Sequence, residues 1–214
     1  MAAAHHRFMK SNISIVLDRS ASMEKIKAAT IKGYNEFLSG QKAEPGTAVL
    51  KLVLFDHEYL VAYNGNIQDA PSLSDKTFLP RGSTALLDAI GRNINEIGLE
   101  LNATAEADRP DTVIVVVITD GEENASQEFT REQVFASISH QTDKYQWKFL
   151  FLGAGPDAIA TAAKLGIGGI RAMRYNANES SMSSVMESVN VATSSLRGGS
   201  SYAFTQDDRE KAQQ

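Results

Sequence analysis

Cysteine is absent from this sequence of 214 residues. Its absence excludes disulfide bonds, thiolate metal sites and a cysteine nucleophile. It does not identify the cellular compartment, but it removes the cross-link that small extracellular domains commonly use. A metal site in this chain would therefore have to use other ligands.

Long apolar runs and clusters of basic residues are also absent. No apolar run reaches the roughly 18 residues that a membrane-spanning helix needs, and residues 1–10 contain no signal-peptide core. We therefore expect a cytoplasmic protein. The formal net charge of -5, without a basic stripe, argues against nucleic-acid binding. His5 and His6 could form a metal-binding pair, although adjacent histidines at a chain start are more often solvated or left by an expression tag.

Strand and helix patterns alternate along the chain. Apolar and β-branched runs predict strands at 12–17, 48–55, 58–63, 111–119, 147–152 and 169–175. Apolar residues spaced by three and four, together with start and stop signals, predict helices at 23–38, 83–101, 130–139, 156–165 and 179–196. Only Asp56 and His57 separate the second strand from the third, so we expect these two strands to form an antiparallel hairpin.

This order of elements predicts an α/β fold with a mostly parallel, doubly wound sheet and helices on both faces. The run at 113–118 is entirely apolar, as in a central strand that is buried on both sides. We expect a flexible start at 1–10, one domain at 11–198 and a frayed tail at 199–214. Ligands of such sheets bind at the carboxyl ends of the strands.

Oxygen-bearing side chains occur at three of these positions. Asp18, Ser20 and Ser22 follow the first strand, Thr84 begins the second helix, and Asp120 ends the most apolar strand. Each has an ordinary alternative, because serine often caps a helix and aspartate before glycine often forms a turn. Their joint placement favours a site for a hard cation such as Mg²⁺, Mn²⁺ or Ca²⁺, which prefers oxygen ligands.

These residues resemble a known motif set. Asp18-x-Ser20-x-Ser22, Gly82-x-Thr84 and Thr119-Asp120-Gly121 are similar to the metal-ion-dependent adhesion site (MIDAS) of the von Willebrand factor type A (vWA) domain. The resemblance covers about residues 10–198. One small departure is Ala21, where family members often have glycine.

The resemblance implies a three-layer, Rossmann-like fold with a six-stranded sheet in the order 3-2-1-4-5-6, in which strand 3 is antiparallel. It also implies a Mg²⁺ ion, or Mn²⁺ or Ca²⁺, bound by Asp18, Ser20, Ser22, Thr84 and Asp120. The resemblance further implies a non-enzymatic protein-binding function, in which the cation would bind an Asp or Glu side chain of a partner protein. Small bacterial and phage members suggest a MoxR-type ATPase or a stress-response complex as that partner.

The ligand chemistry agrees with a binding role. Serine and threonine hydroxyls are neutral, so much of the cation's charge is left for a carboxylate from outside. Glu122 and Glu123 follow directly, and we interpret them as a solvated rim and not as a second site.

Two other functions remain open. A phosphatase of the haloacid dehalogenase type also uses a strand-ending aspartate with Mg²⁺, but it needs a second aspartate where this chain has Ser20. A metal-free structural subunit is the other alternative. The glycines at 153 and 155 approximate a dinucleotide motif in the wrong β-α turn, and His57 between two carboxylates is interpreted as part of a surface turn.

Overall fold

The computed structural model describes residues 9–214 and contains a six-stranded sheet in the order β3-β2-β1-β4-β5-β6. All neighbouring strands are parallel except β2 and β3, which form the expected antiparallel hairpin. The predicted strand order and the direction of strand 3 are confirmed. The strands are β1 (Lys10–Asp18), β2 (Thr47–Phe55), β3 (Tyr59–Asn66), β4 (Thr112–Thr119), β5 (Lys148–Ala154) and β6 (Ala172–Tyr175).

Helices cover both faces of the sheet, and together they make two apolar cores. The helices are α1 (Lys27–Ala43), α2 (Leu86–Ala103), α3 (Arg131–Tyr145), α4 (Ala158–Lys164), α5 (Glu179–Arg197) and α6 (Gln206–Lys211). Apolar residues of α1 and α5 pack on one face, and those of α2, α3 and α4 pack on the other. Alternate residues of β4 enter the two cores, which is why this strand is apolar at successive positions.

Several helix boundaries differ from the predicted ones. The predicted helix at 23–38 begins as a 3-10 helix, Ala21–Ile26, and α1 then continues to Ala43. The helix predicted from residue 83 begins at Leu86 because the Ala85 amide donates to the Asp56 carbonyl across the sheet edge. Thr84 therefore lies in the loop that precedes α2 and not in the first turn of that helix.

The frayed tail expected at 199–214 is wrong. Phe204 is buried, and α6 packs beside β6. Arg209 donates to the carbonyls of Ala172 and Gly169, and Asp208 accepts a 3.0 Å hydrogen bond from Ser188. These partners are distant in the sequence, so the polar local composition gave no sign of them.

At the other end, Lys10 is the first residue of β1, so the domain begins slightly earlier than expected. The remainder of the predicted flexible start, including His5 and His6, lies outside the described residues, apart from Met9. Every helix within 9–214 is too short or too polar to cross a bilayer.

Candidate metal centre

Three loops meet at the carboxyl edge of the sheet. The loop after β1 is joined to the segment before α2 by hydrogen bonds from the Ala21 amide to the Gly82 carbonyl and from the Arg81 amide to the Arg19 carbonyl. The Thr84 carbonyl in turn accepts from amides of the loop that follows β4, at 3.0 and 3.2 Å. Backbone bonding thus holds the loops in one arrangement.

Four of the predicted ligands form a continuous hydrogen-bonded chain. The Asp18 carboxylate accepts from the Ser20 amide at 2.6 Å, and the Ser20 and Ser22 hydroxyls are 3.1 Å apart. The Ser22 hydroxyl donates to Asp120 Oδ1 at 2.6 Å. On its other oxygen, Asp18 accepts from the Thr119 hydroxyl at 2.6 Å. Asp18 is fully buried, so its orientation is fixed by these neutral donors.

Thr84, the fifth predicted ligand, lies beside the same side chains, and Gly121 leaves the space for its hydroxyl. A Cβ atom at Gly121 would lie 2.9 Å from Thr84 Oγ1 and 3.7 Å from Ser20 Oγ. A side chain at this position would therefore crowd the Thr84 hydroxyl, and only glycine leaves room for it. All five predicted residues are brought together, and Thr84 is almost completely buried.

The donor set fits a hard divalent cation. Asp120 Oδ2 is buried and accepts no hydrogen bond. Burial raises the pKa of Asp18 to about 6, and the nearby Asp120 charge acts in the same direction. The two carboxylates are incompletely compensated, since the nearest ammonium that pairs with Asp120, that of Lys25, is 3.7 Å away, and a dication would provide the missing charge. No three His, Asp or Glu side chains gather as a metal-binding group within 9–214, so a metal here depends on the hydroxyls.

Asp56 is a buried residue that pairs with two arginines at this edge of the sheet, although its sequence context predicts a surface turn. It is fully buried, with Arg19 Nε at 3.1 Å and Arg81 Nε at 3.0 Å from its Oδ2 atom. The surface-turn interpretation is correct for His57 and Glu58, which are exposed, and wrong for Asp56. One sequence signal could have indicated this pairing. Each of two segments that carry predicted ligands also contains an arginine, Arg19 beside Asp18 and Arg81 before Gly82.

Glu123 also has a different role from the solvated rim that we expected. Its carboxylate accepts from the Leu87 amide at 2.9 Å and from the Ser126 amide at 2.8 Å. Asp88 reciprocates by accepting from the amides of residues 127–129. The start of α2 and the loop after β4 therefore cap one another, whereas Glu122 is exposed as expected.

The glycine segment at the end of β5 is closely packed at Gly153 and open at Gly155, where a Cβ atom would meet nothing within 4 Å. A Cβ atom at Gly153 would lie 2.9 Å from the Ala158 side chain, which shows the close packing expected for a tight turn. The helix that follows, α4, has only seven residues.

Comparisons with known proteins agree with the topology. No family model and no curated protein sequence matches the chain. Among solved structures, a vWA protein from Catenulispora acidiphila has a TM-score of 0.61 at 12% identity, over 87% of this chain and 43% of that one. The chain has the von Willebrand factor type A fold.

Two further vWA-type structures are similar. The VWA2 paralog of ArnB from Sulfolobus acidocaldarius has a TM-score of 0.55 at 16% identity, over 83% of this chain and 44% of that one. The proximal thread matrix protein 1 of the mussel byssus, with a zinc-occupied MIDAS motif, has a TM-score of 0.58 at 14% identity, over 87% and 46%. The chain thus spans less than half of each of these three proteins.

Proposed function

We propose that this chain is a non-enzymatic, metal-dependent protein-binding domain. A divalent cation, Mg²⁺ first, would be held by Asp18, Ser20, Ser22, Thr84 and Asp120. The observation that carries this proposal is the meeting of three hydroxyls with two poorly compensated carboxylates at one edge of the sheet. The zinc-occupied MIDAS of the mussel protein supports it, since that protein has the same fold.

The neutral hydroxyls explain why the bound cation would recruit a partner. Mg²⁺ keeps several water molecules and binds few carboxylates in most protein sites. With only two carboxylates in the site, an aspartate or glutamate from outside could replace one of those waters. We therefore propose a partner protein with an exposed acidic side chain, and a MoxR-type ATPase or stress-response complex is the first class to test.

The side-chain contacts favour binding over hydrolysis. In the described chain, Ser20 and Ser22 contact each other and Asp120, and no histidine bonds to either hydroxyl. The position of a second catalytic aspartate is occupied by Ser20. A phosphate-ester assay with added metal tests this point, and turnover that disappears in Asp18→Asn would establish an enzyme instead.

Metal binding can be tested by thermal unfolding in EDTA and in Mg²⁺, Mn²⁺, Ca²⁺ or Zn²⁺. A metal at about a hundred times its Kd should raise the midpoint by about 5 to 10 °C. Asp120→Ala should remove the increase. Asp143→Ala is the matched control, because Asp143 is exposed on α3 and distant from the site. An unchanged midpoint of the natural chain in millimolar metal would contradict the proposal.

Partner binding requires a second experiment. A purified candidate partner should bind the chain in Mg²⁺, lose binding in EDTA, and lose it again with Asp120→Ala but not with Asp143→Ala. Replacement of one acidic residue of the partner by its amide should abolish the same binding. Binding that is unchanged in EDTA would show that the partner contacts a surface other than the metal site.

A further inference from the structure

Lys25 forms an ion pair with the oxygen of the site that accepts no hydrogen bond, Asp120 Oδ2. It lies in the same 3-10 helix as Ser22, Ala21–Ile26, and its Nζ atom is 3.7 Å from Asp120 Oδ2. That oxygen is buried and accepts no hydrogen bond, whereas the Lys25 side chain is 56% exposed. The ammonium group thus reaches from solvent toward a carboxylate that the surrounding protein leaves unsatisfied.

Two other cations beside the ligand-bearing loops, Arg19 and Arg81, are already engaged. Arg19 and Arg81 both pair with Asp56, and Arg81 also pairs with Glu58. Lys25 makes its one ion pair of the described chain with Asp120. Unlike Arg81, it can therefore change partner without breaking a second ion pair.

We infer that Lys25 is a tethered cation that pairs with Asp120 when metal is absent and with the acidic side chain of the partner when metal is bound. This inference rests on the proposed metal-dependent binding function. The ammonium and the metal ion repel each other, so they compete for Asp120. Lysine has a flexible four-carbon arm and a compact charge, so it can turn outward to a carboxylate beside the metal.

The inference predicts opposite effects on two affinities. Lys25→Gln removes the competing charge and should tighten metal binding by about three- to tenfold, as expected for a partly exposed charge. The same change removes a contact to the acidic ligand and should weaken its binding by about three- to tenfold. A side chain that only stabilised the loop would weaken both.

The test uses Mn²⁺ titration by calorimetry, followed by nuclear magnetic resonance of small ligands. The probe is N-acetyl-glutamate amide, whose side-chain protons broaden when it binds beside Mn²⁺, and N-acetyl-glutamine amide is its uncharged match. Lys25→Arg keeps the charge and should retain both affinities within about twofold. Lys32→Gln is the control for net charge, because Lys32 is exposed on α1 and pairs with Glu36.

Tighter Mn²⁺ binding together with weaker glutamate broadening in Lys25→Gln alone supports the inference. Unchanged or weaker Mn²⁺ binding in Lys25→Gln, or an equal effect of Lys32→Gln, overturns it while the metal site stands. If neither the natural chain nor Lys25→Gln binds Mn²⁺, the proposed function fails and this inference fails with it.

Discussion

Two buried aspartates at the ends of neighbouring strands have opposite surroundings. Asp18 ends β1 opposite Phe55 of β2, and Asp56 comes immediately after Phe55. Two arginines contact Asp56, whereas Asp18 accepts from neutral donors, the Ser20 amide and the Thr119 hydroxyl. Arginines compensate the charge of Asp56, whereas neutral donors contact Asp18, and this difference is what the proposed metal site depends on.

The largest expected effect is on metal binding at Asp18. Asp18→Ala should weaken divalent metal binding by more than about a hundredfold, because even residues that merely support ligands cost ten- to hundredfold. Calorimetric titration checks this, with Asp143→Ala as the control. Retained affinity in Asp18→Ala would show that Asp18, like Asp56, is a structural carboxylate.

Replacement of Asp56 should lower the free energy of unfolding and not the affinity for metal. Asp56→Ala leaves the nearly buried Arg19 with the exposed Glu58, at 3.8 Å, as its remaining ion-pair partner, and breaking a buried pair in this way costs about 3–5 kcal/mol. Urea unfolding measures the loss. Arg81→Gln removes the more exposed of the two arginines and should cost about 1 kcal/mol or less. Equal losses for both variants would remove the distinction between buried and exposed partners.

Asp18→Asn should stabilise the chain when metal is removed. Burial raises the pKa of Asp18 from 3.8 in the ordinary case to about 6, so its charge opposes folding at neutral pH. This difference corresponds to at most about 3 kcal/mol of unfolding free energy. In EDTA, the unfavourable contribution of Asp18 to the free energy of unfolding should therefore diminish as the pH falls through 6 toward 3.8. This pH dependence should disappear in Asp18→Asn.

Urea unfolding at several pH values in EDTA measures both effects. Lower stability of Asp18→Asn at neutral pH would show that the hydrogen bonds to Ser20 and Thr119 outweigh the burial of the charge.

Replacement of Thr84 should weaken metal binding less than replacement of Asp18 does. Thr84→Val removes the hydroxyl at nearly constant volume and should weaken metal binding by about tenfold. Thr84→Ser keeps the hydroxyl and should bind within about threefold of the natural chain. Calorimetry distinguishes them, and equal affinities of the two variants would exclude Thr84 as a ligand.

The sequence predicted the parts of this molecule that depend on local pattern. The apolar run of β4 and the short turn at Asp56 determine a central strand and a hairpin, and the ends of the strands determine where Asp18 and Asp120 meet. Whether these side chains bind metal stays a prediction. Thr84 lies beside the other predicted ligands, but it precedes the helix that the sequence pattern predicts to begin at residue 83, because the contact that delays α2 comes from Asp56.

The remaining errors share one physical cause. Asp56, Glu123 and α6 are positioned by partners far along the chain, and the character of a polar residue depends on those partners. The local sequence around a carboxylate in a turn is the same whether that carboxylate faces water or a guanidinium group. Only the folded topology distinguishes the two environments.

The reciprocal caps of Asp88 and Glu123 have a consequence for local opening. Each carboxylate protects amides of the other segment: Glu123 protects Leu87, and Asp88 protects residues 127–129. Neither segment can separate without exposing amides of both. Hydrogen exchange should therefore report the first turn of α2 and the loop after β4 as one cooperative unit, which opens and closes as a single event.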